Sequence, residues 1–451
     1  MIYSLIIPIY QRFSTLLFLW IVFILPFSGI AQKTTLSLDE AVRIAMERAY
    51  NIKVSKVQQK IAENDNTRGN AGMLPVVTGA ISKNYTISSV TLGLFDPNLA
   101  PIERSGVPNN TGGIGVNAVW TLYDGMGMFI AKERLSTIQK ATYTQTESQV
   151  ENTVAQVATA YYDIIRQSRR VTNLKHGLEI SNDRLKLAKD RYEVGQGSKV
   201  DFLSAQVDYN EDKAALLAQE QALESAKYAL NSLLVRDLST EFSTNDTFML
   251  DKKLSLTTLR DAMVKLNPSL ALAAMNRQLA DMAVKAEKAK QYPQVALVTG
   301  YNYNTANNGA GAPQATKSSQ NYAFNYGIRA TIPIFDGYNQ KRRIQNAKLN
   351  TETLAFQESD LRNQLNTALE RTYLSYNNSL ELIKLETENY KIARQNIEIA
   401  FERYKVGNAT SYELREVQRN AVAAETRLID AECNAKISEV ELLRLSSKLV
   451  E

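Results

Sequence analysis

Cys433 and His176 are the only cysteine and the only histidine in the 451-residue sequence, and they limit the chemistry that the chain can perform. One cysteine cannot form a disulfide within the chain, and one thiolate with one imidazole supplies too few ligands for a zinc-type metal site. A nucleophile–histidine arrangement would depend on His176, and no G-x-S-x-G elbow accompanies it. A Walker A pattern for nucleotide binding is also missing from the sequence. We therefore expect a protein that is not an enzyme, with no catalytic residues, no metal and no cofactor, in which both side chains are structural.

Composition excludes further classes of protein. Hydrophobic residues make up 44% and charged residues 22% of the chain, which is close to the average of folded domains and argues against disorder and against a polytopic helical membrane protein. The net charge of +5 is small for this length, and no block of Lys and Arg stands out. Nucleic acid is therefore not an expected partner.

The N-terminus has the pattern of a secretion signal. Arg12 is the only charged residue among the first 31, an apolar run covers residues 16–27, and the small residues Gly29 and Ala31 stand at the usual cleavage spacing. A retained membrane helix is the alternative, but the apolar run is shorter than the ~20 residues that a span needs. The sequence predicts a signal peptide over residues 1–31 and export of the remainder.

The rest of the sequence contains one unit written twice. Residues 191–195 (RYEVG) recur as 403–407 (RYKVG), and residues 123–125 (YDG) recur as 335–337 (FDG), both with an offset of 212. Two separate landmarks with one offset indicate a tandem duplication. We predict a first repeat over 32–234, a linker over 235–255 and a second repeat over 256–451, each in the order helix, strand pair, two long helices.

Proline and glycine positions delimit the helices, because proline breaks a helix interior at a cost of ~3 kcal/mol. A helix of ~65 residues spans ~95 Å, which no compact domain can hold. In the last long helix, apolar residues recur every seven positions, at Leu385, Ile392, Ile399 and Val406, which is coiled-coil spacing. The predicted helices cover 36–70, 128–192, 199–234, 257–290, 339–404 and 411–448.

Alternating segments precede each pair of long helices. From 322 to 334, tyrosines, phenylalanine and isoleucines point one way, while Asn325, Arg329 and small residues point the other. Similar alternation over 295–304, 113–122 and the segment after Pro75 predicts two strand pairs, joined by loops at 92–112 and 305–321. One apolar and one polar face suit either a soluble sheet on a core or a membrane barrel around water. The predicted helices are too long for a globular domain and leave no hydrophobic core for the sheet to cover, which favours the membrane barrel.

Four strands are too few for one chain to close a barrel, since the smallest membrane barrels have about eight. Open sheet edges cannot lie in lipid, where every backbone group must be paired. Several chains must therefore share one barrel, and the sequence alone does not choose three over two or four.

The duplication, the twin R-Y-x-V-G motifs and the strand-to-Asp-Gly junctions resemble the TolC-type outer-membrane efflux family over about residues 36–449. The resemblance implies an α+β membrane protein in which a homotrimer forms a twelve-stranded transmembrane β-barrel, four strands per chain, continuous with a coiled-coil periplasmic tunnel of twelve helices. It also implies an outer-membrane exit duct of a tripartite efflux or type I secretion system, with outer-membrane lipid, a periplasmic adaptor and an inner-membrane transporter as partners. Transport through such a duct is passive.

The resemblance also implies site residues. Val194, Gly195, Val406 and Gly407 correspond to the periplasmic tip that meets the adaptor. Tyr404, Glu413 and Glu416 correspond to a periplasmic gate, in which threefold repetition would gather six carboxylates and favour cations. Ala409 departs from members with a basic residue there, which argues against an ionic latch from that position. Exposed charges on an outer helix face are the alternative for both glutamates.

The rival interpretation is a periplasmic adaptor or a coiled-coil scaffold, which would also carry long helical hairpins. An adaptor would have one hairpin flanked by β-rich halves rather than two copies that each begin with an alternating strand pair.

Overall fold

A computed structural model describes residues 34–449, apart from 94, 97, 99, 246, 249, 251–253 and 310–315. The predicted signal peptide over 1–31 lies outside the described residues. In chain order the structure contains β1 (Thr34–Thr35), α1 (Leu38–Arg48), α2 (Tyr50–Asp65), β2 (Val76–Leu92), β3 (Ile102–Tyr123), α3 (Gly127–Glu193), α4 (Lys199–Leu233), β4 (Phe242–Ser243), α5 (Leu256–Leu266), α6 (Pro268–Ala289), β5 (Gln294–Asn308), β6 (Ser318–Thr331), α7 (Asn339–Lys405) and α8 (Ser411–Leu445).

The long helices lie where the sequence places them. Helices α3 and α7 have 67 residues each, and each is followed by a 35-residue helix that runs back along it, α4 and α8. A 67-residue helix is about 100 Å long, so each hairpin is a rod rather than part of a globule. Within the described ranges, none of the helices has a stretch long and apolar enough to span a membrane.

Two predicted helices are wrong in one respect, because 36–70 and 257–290 each form two helices. The second break lies at Asn267, whose extended ψ of 119° is the conformation that a following proline imposes. The Asn267 side chain then caps the next helix by accepting a hydrogen bond from the Ser269 N–H at 2.9 Å. The first break lies at Ala49, with a ψ of 126°, and its side chain is buried.

The four long strands form one antiparallel sheet in the order β2-β3-β5-β6, so β2 and β6 are its edges. The predicted loop over 92–112 is too long, because β3 begins at Ile102 and the β2–β3 ladder continues to the pair Leu92↔Ile102. The second loop is also shorter than predicted, since β5 extends to Asn308 and β6 begins at Ser318. Strand β6 ends at Thr331, two residues before Pro333, which lacks the N–H that a ladder needs.

The register separates the two faces of the sheet as the alternation predicts. One row across all four strands contains Ile81, Ile114, Tyr303 and Tyr322, and these apolar side chains share one face. The next row contains Ser82, Gly113, Asn304 and Asn321 on the opposite face. Large side chains of the apolar face are exposed, with Ile81 82% and Tyr326 78% accessible. An exposed apolar face of this kind needs a covering, either lipid or protein.

A helical core lies where the two halves of the chain meet. Helix α1 and the short parallel pair β1–β4 pack against α3, α4 and α8. The Tyr161 hydroxyl donates to the Leu36 carbonyl at 3.0 Å, and Cys433 is completely buried beside them. Helix α5 covers α7 and α8 in the same way through Leu259 and Met263. Each short helix therefore packs against long helices and holds them together.

Candidate functional site

The two turns between the long helices form the end of the molecule farthest from the sheet. Gly195 and Gly407 have φ values of +76° and +83°, the left-handed region that favours glycine. The next residues close each turn, since the Gln196 N–H donates to the Arg191 carbonyl and the Asn408 N–H to the Arg403 carbonyl, both at 2.8 Å. The turns therefore lie where the twin motifs predict them.

Each turn exposes a valine and starts the next helix with a polar cap. Val194 and Val406 are 68% and 70% exposed, immediately before the two glycines. Ser198 and Thr410 then accept hydrogen bonds from N–H groups of the first turn of the following helix. The result is two matching tips, each with one apolar side chain presented outward.

Arg191 joins the two tips. Its guanidinium donates to the carbonyls of Tyr404 and Lys405 at 2.7 and 3.1 Å, and it lies 5.0 Å from the centre of the Tyr404 ring. These carbonyls belong to the last turn of α7, where backbone acceptors lack helical partners and a cation is favourable. The sequence motif alone did not show this link, because Arg403, the counterpart of Arg191, stays within its own hairpin.

Tyr404 lies in the contact between the two hairpins rather than at the surface. It is 4% exposed and packs with Ile397 and Leu414, with Ile180 and Leu187 of α3 partly buried against them. Its counterpart Tyr192 is 40% exposed and stacks on Phe202 at 6.0 Å. The two tips therefore share a backbone shape but differ in their side-chain chemistry.

The two glutamates of the predicted gate have different surroundings. Glu413 accepts a hydrogen bond from Arg403 at 2.9 Å, and both side chains are about half exposed. Glu416 is exposed, and it accepts a long hydrogen bond from the Asn420 amide at 3.5 Å. Exposed ion pairs contribute little, about 0–1 kcal/mol, but the pair partly neutralises Glu413. Glu416 carries the less compensated charge.

A cluster of charged side chains between the hairpins was missed by sequence reasoning. Arg415 contacts Asp212 at 2.7 Å and Glu211 at 3.0 Å, and the fully buried Arg184 pairs with Asp208. Burial lowers the pKa of Arg415, but hydrogen bonding to Asp212 and the neighbouring carboxylates outweigh it and raise the pKa overall.

Gln418 completes this cluster. Its amide nitrogen donates to Asp212 at 3.0 Å and to the Gly177 carbonyl at 2.8 Å. The sequence did contain one indication of this cluster, the acidic residues at positions i, i+3 and i+4 in α4. This spacing places their carboxylates on one face of the helix. The cluster fastens α4 and α3 to α8 just above the tips.

A cleft of about 190 Å³ lies between α3, α7 and α8, and it contains the single histidine. Glu425 and Arg394 also line it, and burial raises the pKa of Glu425. Cys433 lies apart in the core, where burial raises the pKa of its thiol to about 11. Among the described residues, no three or more His, Cys, Asp and Glu side chains come together as metal ligands.

The sheet, the long helices and the tips together define a class of protein in which a sheet with one apolar face continues into long helical hairpins. A profile of the outer membrane efflux protein family matches residues 41–235 and 259–447. The chain belongs to the outer membrane efflux protein family.

Individual relatives agree with this assignment. The outer membrane efflux protein BepC of Brucella suis is 20% identical over 409 residues, which are 84% of this chain and 87% of BepC. The crystal structure of the outer membrane protein VceC from Vibrio cholerae matches with a TM-score of 0.72 at 16% identity, covering 91% of this chain and 95% of VceC. The open state of the MtrE outer membrane channel of Neisseria gonorrhoeae matches with a TM-score of 0.70 at 16% identity, covering 91% and 89%.

The chain is therefore an outer-membrane exit duct with a helical tunnel in the periplasm, and the predicted family, function and location are confirmed. The outer-membrane duct therefore replaces the rival interpretation of the chain as a periplasmic adaptor or coiled-coil scaffold. The family and the fold are those of channels.

Proposed function

We propose that three copies of the chain close a twelve-stranded barrel in the outer membrane, continuous with a twelve-helix tunnel in the periplasm, and that cargo crosses it passively. The sheet is the observation that carries the proposal. Its apolar face is exposed, and its edge strands β2 and β6 have no partner on one side among the described residues. In lipid, the backbone groups of such edge strands must pair with another chain. The β2 edge of one copy would pair with the β6 edge of the next, so that several copies close one barrel.

The mass and pore activity of protein extracted from outer-membrane fractions test this proposal. A trimer with discrete conductance in planar bilayers is the expected result. A monomer without conductance would overturn it. Cysteines introduced along the edge strands β2 and β6 should cross-link between chains, and the buried Cys433 should not interfere.

A tandem duplication explains why the two halves correspond so closely. Helix lengths of 67 and 35 residues recur, and left-handed residues recur at one offset, Gly125 with Gly337 and Val235 with Ser447. The family profile also matches the chain in two blocks. We assign residues 32–234 and 256–451 to the two repeats, with 235–255 as the segment that joins them.

The tips are the proposed docking site for a periplasmic adaptor, which would connect the duct to an inner-membrane transporter. Val194 and Val406 supply exposed apolar contacts, and Gly195 and Gly407 keep the backbone accessible, since no atom lies within 4 Å of an added Cβ. Replacing both valines by glutamate should abolish co-purification with the adaptor while leaving pore conductance intact. Co-purification at the wild-type level would remove the tips from the docking surface.

Glu413, Glu416 and Tyr404 form the proposed gate. Threefold repetition brings the carboxylates of the first turns of α8 together, which favours cations, while Tyr404 holds the two hairpins in contact. The double variant Glu413→Gln/Glu416→Gln should lose cation preference in single-channel recordings, with Glu416 responsible for the larger share. Neutralising Glu179 and Glu381, exposed carboxylates away from the tips, is the matched control. Unchanged selectivity in the double variant would refute the gate.

A further inference from the structure

The polar face of the sheet carries almost no charge. Across the stretches 76–88, 107–121, 294–308 and 318–331, which leave out the far end of the β2–β3 hairpin with Glu103 and Arg104, the only charged residues are Lys83 and Arg329. Lys83 is in the row of Gly112 and Thr305, on the same face as Ile81 and Tyr85. Arg329 alternates with Tyr326 and Ile328 and therefore lies on the opposite, polar face. It is the single charge among side chains that are otherwise Asn, Ser, Thr, Gln, Gly, Ala and Val.

Hydrogen-bonded amides surround the middle of this polar face. The Asn302 amide donates to Asn117 at 3.3 Å and to Asn325 at 3.4 Å. Glycine at the neighbouring position Gly115 makes room, since a Cβ there would lie 1.9 Å from the Asn302 oxygen. Amides both donate and accept, so this part of the face does not discriminate by charge.

Arg329 lies at the helix-side end of the sheet, two residues before β6 ends. It is directly opposite Ala296, which in turn is opposite Thr121, so no carboxylate stands beside it in its row. The guanidinium is exposed and has no hydrogen bond or ion pair with any residue that the structure describes. Asp336, an acid close to this end, is engaged by Arg343 at 3.0 Å.

We propose that Arg329 forms an anion-binding ring of three guanidinium groups where the barrel meets the tunnel, and that this ring recognises anionic groups of molecules in transit. The inference rests on the proposed trimer. Twelve strands about 4.8 Å apart and tilted by about 40° give a backbone radius of roughly 12 Å. An extended arginine side chain then places its charge roughly 6 Å from the axis, which is within the Debye length of about 10 Å at 0.1 M salt.

Three charges at that distance act together on an ion at the axis. In water-like dielectric with this screening, they enrich a monovalent anion about sevenfold over its bulk concentration. An anion with several charges is enriched more strongly, so it should block the pore. Carboxylates and phosphates also match the planar fork of a guanidinium.

The experiment measures block of single-channel current by inorganic tripolyphosphate, added at the barrel side in 0.1 M KCl. This anion meets the ring before it reaches the tunnel. Arg329→Gln should raise the half-blocking concentration at least tenfold, and Arg329→Lys, which keeps the charge, should stay within about threefold of wild type. Lys83→Gln is the matched control, because it removes one positive charge per chain from the other face of the same sheet, and it should leave the block unchanged.

If the half-blocking concentration of Arg329→Gln stays within twofold of the wild-type value, the proposed ring is refuted. This result is expected where a carboxylate of a neighbouring copy neutralises the arginine. An equal effect of Lys83→Gln also overturns it. A wild-type protein without conductance would instead refute the trimeric barrel, so failure of the ring and failure of the proposed function are distinguishable.

Discussion

Removing the Arg191 side chain should release the two periplasmic tips from each other. Two hydrogen bonds from the guanidinium to the last carbonyls of α7, at 2.7 and 3.1 Å, contribute about 1 kcal/mol each at this partly exposed position. Its contact with the Tyr404 ring adds about 0.5–1 kcal/mol. The variant Arg191→Met therefore loses about 2–3 kcal/mol per chain, which raises the population of separated tips by a factor of roughly 30 or more.

Spin labels at Gln196 and Tyr412, both exposed, give the distance between the tips by electron paramagnetic resonance. Wild type should give one narrow distribution and Arg191→Met a broad one with longer distances. Arg403→Met is the matched control, because within the part of the chain that the structure describes Arg403 hydrogen-bonds to Glu413 and to the Asn408 carbonyl, both in its own hairpin. A narrow distribution in Arg191→Met, or equal broadening in both variants, would refute the reasoning.

Three further predictions concern the turn, a buried acid and the thiol. Gly407→Ala should destabilise the chain by about 1 kcal/mol, because alanine is strained at a φ of +83°. Gly327 has no positive φ and no atom within 4 Å of an added Cβ, so Gly327→Ala should not destabilise the chain. Thermal unfolding of both variants measures the difference. Burial raises the pKa of Glu425 above its ordinary 4.5, so the carboxylate binds a proton more tightly in the folded chain than in the unfolded chain. The stability of the fold therefore falls as the pH rises from the pKa of the unfolded chain through the higher pKa of the folded chain. Glu425→Gln should accordingly raise the Tm at pH 7.5 and leave it unchanged at pH 4. Cys433, buried and with its pKa raised to about 11, should react with iodoacetamide at pH 8 only after unfolding, and rapid labelling of the folded protein would contradict its placement.

Much of the fold could be predicted because its signals are local. The two 67-residue helices have no proline in their interiors. The glycines in the turns that follow these helices have a positive φ, which a helix does not allow. The break at Asn267 also had a local signal, the following Pro268, which the prediction of one helix over 257–290 passed over. The break at Ala49 has no comparable signal, since its residue types favour helix on both sides.

Other features depend on pairing that composition does not reveal. The segment 92–112 is rich in Asn, Gly and Pro and was therefore predicted as a loop. In the sheet, however, Gly112 and Gly113 face large or polar side chains of neighbouring strands, so small residues are needed within a strand. The charged cluster around Arg184 and Arg415 joins side chains far apart in sequence, and only the packing of the two hairpins brings them together.

The unequal tips have a consequence for stoichiometry. In the proposed trimer, six tips alternate around the ring between an aromatic stack, Tyr192 on Phe202, and an ion pair, Arg403 with Glu413. A ligand ring of six identical subunits would thus meet two kinds of site, and its members could not all bind equivalently. Such a ring would bind the proposed trimer in two steps of three subunits, with two affinities.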